Sequence, residues 1–237
     1  MADLFLDHDD RSPTGMVEGR GYDATRARVT GYFDATARRA WEDLTSDAPV
    51  SRIRATVRAG RERMRALMLG RLPGDLRGAR ILDAGCGTGA MSAALAGRGA
   101  QVLAVDMAPS LLIVAARRLP EALVPRVSFV AGDMFDARLG AFDAVVAQDS
   151  MIYYGRDDLA ARLAGLAARS PRTVFTVAPR TPMLAAMWWA GRAFPKADRS
   201  PRMVPHSVPA LCDATGARDV GRVASGFYIS QCLEIAP

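Results

Sequence analysis

Between residues 78 and 178 short apolar, β-branched runs alternate with helical patterns five times, and this limits the fold more than any other feature. The runs at 79–85, 100–106, 126–132, 142–148 and 172–178 are apolar nearly throughout. A strand with one wet face would alternate, so these runs predict a parallel sheet covered on both sides. Helical stretches between consecutive strands predict a doubly wound α/β domain. Two further strands near 218–225 and 228–235 bring the expected sheet to seven, mostly parallel.

The flanks complete a one-domain plan over 21–237. Residues 1–20 are polar and read as a flexible leader. Residues 22–70 read as helical, with a break at 46–49. In the second of these helices Ile53, Val57, Met64, Leu67 and Met68 share one face, and Arg52, Arg54, Arg58, Arg61, Arg63 and Arg65 fill much of the rest. Such a helix can lie on a membrane, but the favoured reading is packing on its own domain. Residues 179–206, rich in proline, interrupt the alternation as an insertion after the fifth strand. A helix from Ser207 to Gly216 then precedes the closing strands.

The chain has 237 residues and a net charge of +6. A basic balance suggests anionic partners, yet Lys196 is the only lysine, so the bias reads as arginine-rich coding rather than a basic face. Cys86, Cys212 and Cys232 lie far apart, without zinc or disulfide spacing. The acidic start lacks the features of a signal peptide, and no apolar run approaches the roughly 20 residues that span a bilayer. The expectation is a cytoplasmic protein, with peripheral membrane contact left open.

The chemistry centres on Asp83-Ala84-Gly85-Cys86-Gly87-Thr88-Gly89, which leaves the first strand and opens a helix. Three glycines let a ligand approach the backbone. A dinucleotide loop reads G-x-G-x-x-G; here the spacing is G-x-G-x-G, with a carboxylate two residues ahead. Asp83 would repel a pyrophosphate and attract an ammonium group. Asp106 ends the second strand, where a carboxylate can accept from both ribose hydroxyls, with Met107 next to it. Asp133 follows the third strand and can accept from an adenine amine, with Met134 against the ring. Gln148 and Asp149 end the fourth strand, where such sheets bind ligands.

Taken in order, the loop, Asp106 and Asp133 resemble the S-adenosylmethionine-binding pattern of Rossmann-like class I methyltransferases over about 78–178. The stretch 148–154 lacks the prolines of base-amine methylation and the cysteine of cytosine C5 methylation. The wider pattern is similar to the magnesium protoporphyrin IX O-methyltransferase family, in its purple-bacterial branch. It comprises GYFDATARRAWEDLTS at 31–46, the stretch 148–154, the insertion and Pro205-His206-Ser207. The resemblance runs from about residue 22 to the end. It implies methylation of the ring-13 propionate, with S-adenosylhomocysteine as coproduct, and handover of substrate from the porphyrin-binding subunit of magnesium chelatase. Magnesium then belongs to the substrate, and no protein metal site or nucleic-acid partner is expected.

An apolar macrocycle bearing carboxylates needs apolar cover and cations. Arg180, Met183, Met187, Trp188, Arg192 and His206 are the candidate substrate contacts, on an insertion that can act as a lid. Tyr32 is the first candidate at the reacting carboxylate, or over the methionine end of the cofactor, and Tyr153 the second. Other branches of the family carry histidine at the position of Tyr153, so a histidine-assisted mechanism does not transfer. Alternatives are a class I O-methyltransferase for a quinone or phenol, an RNA methyltransferase, a nicotinamide-dependent reductase, and a catalytically silent scaffold. Asp83, and Ala90 where a third dinucleotide glycine would fall, argue against the reductase.

Overall fold

The computed structural model describes residues 5–6, 22, 24–27, 30–31, 52–181 and 203–237. Its strands are β1 (Phe5–Leu6), β2 (Arg80–Ala84), β3 (Gln101–Asp106), β4 (Val127–Ala131), β5 (Ala144–Ala147), β6 (Thr173–Val177), β7 (Arg218–Ser225) and β8 (Tyr228–Ile235). They form one sheet in the order β1-β4-β3-β2-β5-β6-β8-β7. Pairing is parallel from β1 to β6, and β8 inserts antiparallel between β6 and β7. The seven expected strands are present. The difference lies at the edge, where Phe5 and Leu6 pair with Phe129 and Val130. These two residues fall in the segment read as a leader; a two-residue edge strand has too little pattern to show in sequence.

Alternate residues of each central strand feed opposite cores. Ile81, Val102, Ala104 and Val146 join the core under α1 (Arg52–Leu69) and α2 (Ala90–Gly97). Leu82, Val105, Val145 and Ala147 join the other core, with Leu159, Leu163 and Leu166 of α4 (Arg156–Ala167) and Leu211 of α5 (Val208–Thr215). Helix α3 (Pro109–Arg118) connects β3 towards β4 and starts on a proline, whose missing N–H has no intrahelical partner at that position.

The arginine-rich α1 packs on its own sheet. Met64 and Met68 are fully buried, and Val57 and Leu67 pack beside them. Gly60 permits the approach of the β7–β8 hairpin: a Cβ there would lie 2.6 Å from Cδ1 of Tyr228. This part of the apolar face is therefore occupied by protein. Ser207 stands at the N-cap of α5 as expected, but its hydroxyl makes no capping bond, and Gly216 closes the helix with φ 69°.

The described ends of the insertion lie side by side. Arg180 N–H donates to the carbonyl of His206 (2.7 Å), and His206 N–H donates to Ala178 (2.8 Å). The chain thus leaves β6 and returns to the same point on the sheet's carboxyl edge. Met183, Met187, Trp188 and Arg192, the expected lid contacts, lie outside the described residues, as does Tyr32.

Candidate functional site

The site forms where β2, β3, β4 and β5 end. Leaving β2, the chain turns through Gly85, Gly87 and Gly89 at φ 77°, 53° and 78°, a region costly for residues with a Cβ. Two of the three are also sterically fixed. A Cβ on Gly85 would stand 2.3 Å from Cβ of Ser150, and one on Gly89 2.9 Å from Cβ of Ala115. Nothing lies within 4 Å of the corresponding position on Gly87, so its missing side chain leaves open space. Ser150 also donates to the carbonyl of Ala84 (2.7 Å), pinning the start of the loop from the β5 side.

Asp106 binds the loop to the next strand. One carboxylate oxygen accepts from Gly87 N–H at 2.8 Å and the other from Ala108 N–H at 2.9 Å. The cavity so formed is lined by Gly85, Gly87, Asp106, Met107, Met134, Gln148 and Tyr153 among the expected residues. Their convergence from four strand ends matches the rule that open α/β sheets bind ligands outside the carboxyl ends.

Asp83 takes a different place. It is buried beneath the loop, accepts from the Ser92 hydroxyl at 2.5 Å, and borders an adjoining cleft with Cys86 and Thr88. Burial raises its carboxyl to about 7; the Ser92 hydrogen bond opposes the rise and the Asp106 charge adds to it. Burial also pushes the Cys86 thiol well up, which makes it a packing residue rather than a nucleophile.

Asp133 sits behind the cavity wall. Its oxygens accept from Phe135 N–H (2.9 Å) and from the Tyr22 hydroxyl (2.7 Å). Tyr22 stacks on Tyr154 at 5.4 Å, with the Arg162 guanidinium 4.1 Å from its ring centroid. Tyr22 thus anchors its segment at Asp133, and Thr30, two residues before Tyr32 in sequence, reaches the cavity. Burial, reinforced by the Asp133 charge, pushes the Tyr154 phenol up to about 12.

Two expected substrate contacts lie elsewhere. Neither Arg180 nor His206 lines the cavity. His206 is buried behind Tyr154, its Nε2 has no hydrogen-bond partner, and burial holds its pKa below the ordinary value. It braces the return of the insertion, the local role a histidine before a helix start commonly takes.

Asp149 and its partners complete the site. Asp149, at φ 57°, accepts from Tyr228 at 3.0 Å, gives its N–H to Thr176 at 2.8 Å and pairs with Arg61 at 3.2 Å. Gln148 Nε2 donates to the carbonyl of Arg61 at 2.9 Å. The place of Asp149 at the end of the fourth strand is read from sequence. Its partners come from α1, β6 and β8, and no local pattern shows them.

Comparison with known proteins was then informative. A family model described as magnesium-protoporphyrin IX methyltransferase C-terminus matches residues 147–237, and a methyltransferase-domain model matches 81–169. The Magnesium-protoporphyrin O-methyltransferase of Rhodobacter capsulatus is 52% identical over 220 residues, covering 91% of this chain and 98% of that protein. The protein of the same name from Synechocystis is 27% identical over 87% of this chain and 94% of its own length. A crystal structure of magnesium protoporphyrin IX methyltransferase from Synechocystis PCC 6803 with bound SAH superposes with a TM-score of 0.71, at 26% identity, over 88% of this chain and 98% of that one. With the cofactor-type loop at β2 and relatives matched along nearly the whole length, the chain belongs to the magnesium-protoporphyrin O-methyltransferase family.

Proposed function

We propose that this chain transfers the methyl group of S-adenosylmethionine to a propionate carboxylate of magnesium protoporphyrin IX, giving the monomethyl ester and S-adenosylhomocysteine in bacteriochlorophyll biosynthesis. The observation that carries this reading is the cavity at the ends of β2–β5, with an open glycine face and the carboxylates of Asp106 and Asp149 in its lining. Open space over Gly87 and the Asp106 carboxylate in the cavity wall fit an adenosine-bearing cofactor. Gly85, Gly87, Asp106, Met107, Met134 and Gln148 would hold it, with Asp133 behind the wall. When bound, the cofactor supplies an electrophilic methyl group on a sulfonium.

The acceptor is a carboxylic acid with an ordinary pKa of about 4 to 4.5, ionised at neutral pH. No general base is then needed. The chain's task is to hold the carboxylate in line, roughly 3 to 3.5 Å from the methyl, and to strip its water. Tyr153, in the cavity wall, and Tyr32, beside the lining residue Thr30, are the proposed contacts to the reacting carboxylate. Asp149 positions Arg61 at the cavity mouth. The insertion would cover the macrocycle through Met183, Met187 and Trp188, with Arg180 and Arg192 at its rim; His206 supports the lid from behind.

The resemblance further supports receipt of substrate from the porphyrin-binding subunit of magnesium chelatase. No helix among the described residues is long and apolar enough to cross a membrane.

The test is a competition between acceptors. Purified protein with S-adenosylmethionine is given magnesium protoporphyrin IX, metal-free protoporphyrin or a catechol-type quinol. The expected result is addition of one methylene unit to the magnesium porphyrin, with kcat/KM higher than for the other two. Methylation of the quinol alone would overturn the reading.

A further inference from the structure

A second cleft opens beside the cofactor cavity, between α1, the glycine loop and the end of α3. It encloses about 1460 Å³ including its mouth, against about 630 Å³ for the cofactor cavity. Four guanidiniums line it, from Arg58, Arg61, Arg65 and Arg118, against the carboxyls of Glu62 and Asp83. Arg61 is already paired with Asp149. Among the described residues no ion pair joins Arg58, Arg65 or Arg118 to a carboxylate. The buried Nε of Arg65 has no hydrogen-bond partner. Burial and the neighbouring Arg58 charge depress the pKa of Arg118, so these two cations crowd each other, while the Arg65 charge acts on Asp83. An arriving anion would relieve that crowding.

A guanidinium fork matches a carboxylate in shape and donor spacing. The cleft shares Arg61, Gly85 and Gln148 with the cofactor cavity, so the two adjoin at these residues. We propose that this arginine cleft binds the second, non-reacting propionate of the acceptor, with Arg58 and Arg118 as its principal anchors. This rests on the porphyrin reading given above and deepens it. Seating one propionate here leaves its neighbour on the ring edge at the Gly85–Gln148 junction, where the two cavities meet. The cleft thereby selects which carboxylate is esterified, and a clamp on the spectator group leaves the reacting oxygens unburdened by an arginine. The cleft lies outside the cofactor cavity and adds the guanidiniums of Arg58, Arg65 and Arg118, which favours the acceptor's carboxylate over the cofactor's own as occupant.

The test is the double variant Arg58→Gln/Arg118→Gln in the full chain, with both side chains exposed and away from the core. KM for magnesium protoporphyrin IX should rise about tenfold or more, as expected for loss of charge-assisted bonds worth at least about 1.4 kcal/mol. The Kd for S-adenosylmethionine, from calorimetry, should stay within about twofold. That unchanged Kd would also establish that the variant is folded. A weakened Kd for S-adenosylmethionine, with or without a change in KM, would assign the arginines to the cofactor and overturn the proposal. No change in either quantity would mark the cleft as solvated surface and also overturn it. Wild-type protein that binds S-adenosylmethionine but methylates no porphyrin would instead overturn the parent reading, a result separable from both.

Discussion

Asp83 illustrates how a single residue can serve the site at the expense of the fold. Its carboxyl ordinarily titrates near 3.8 and is raised to about 7 in the native chain. Below pH 3.8 it is protonated in both folded and unfolded states. Between about 3.8 and 7 the native state holds the proton and the unfolded state does not, so its contribution to stability falls as pH rises, levelling off above 7. Asp83→Asn, which still accepts from Ser92, should therefore be more stable than wild type at pH 8 by roughly 2–4 kcal/mol and nearly equal to it at pH 4. Urea unfolding at the two pH values would show this; an equal difference at both would mean that Asp83 does not titrate there. The glycines give a graded comparison. Gly85→Ala meets Ser150 at 2.3 Å and adds left-handed strain, whereas Gly87→Ala adds strain alone. Gly85→Ala should cost several kcal/mol in stability, and Gly87→Ala about 1–2 kcal/mol, by denaturant titration.

At the scale of elements, α1 and the β7–β8 hairpin act together. Gly60 admits the Tyr228 ring, and the Tyr228 hydroxyl reaches Asp149 in the site. Gly60→Ala should displace that ring, destabilise the chain by about 1–3 kcal/mol and lower kcat more than the milder Val57→Ala, measured under saturating cofactor. These links show where sequence reading succeeds and stops. The central strands were legible because burial on both faces demands β-branched runs, and Gly85, Gly87 and Asp106 because their chemistry is local. Tyr22 on Asp133, Ser150 against Gly85 and Arg61 on Asp149 were not legible, since each joins residues far apart in sequence through tertiary packing. The hydrophobic stripe of α1 predicted a buried face without showing that a hairpin tyrosine fills it. His206 looked like a ligand contact because an isolated histidine carries no signal of burial.

Across the whole molecule, Glu234 of β8 fastens the antiparallel closure of the sheet. It is buried and accepts from Arg71 at 2.7 Å, beyond α1, and from Arg172 at 2.6 Å, ahead of β6. Replacing it by glutamine leaves two guanidiniums without their counter-charge and should cost about 3 kcal/mol, read by thermal or urea unfolding. Because Glu234 does not line the cofactor cavity, affinity for S-adenosylmethionine should not change at temperatures where the variant is folded. A cofactor cavity beside an arginine cleft, with an insertion whose described ends meet just past β6, suits a carboxylate acceptor. The most direct test is a single turnover with S-adenosylmethionine carrying a trideuterated methyl group and magnesium protoporphyrin IX, followed by mild alkaline hydrolysis of the isolated product. A carboxylate nucleophile predicts that the label leaves as trideuterated methanol and the starting porphyrin is regenerated. Label retained on the macrocycle after hydrolysis would mean methylation at carbon or nitrogen, and would contradict the account.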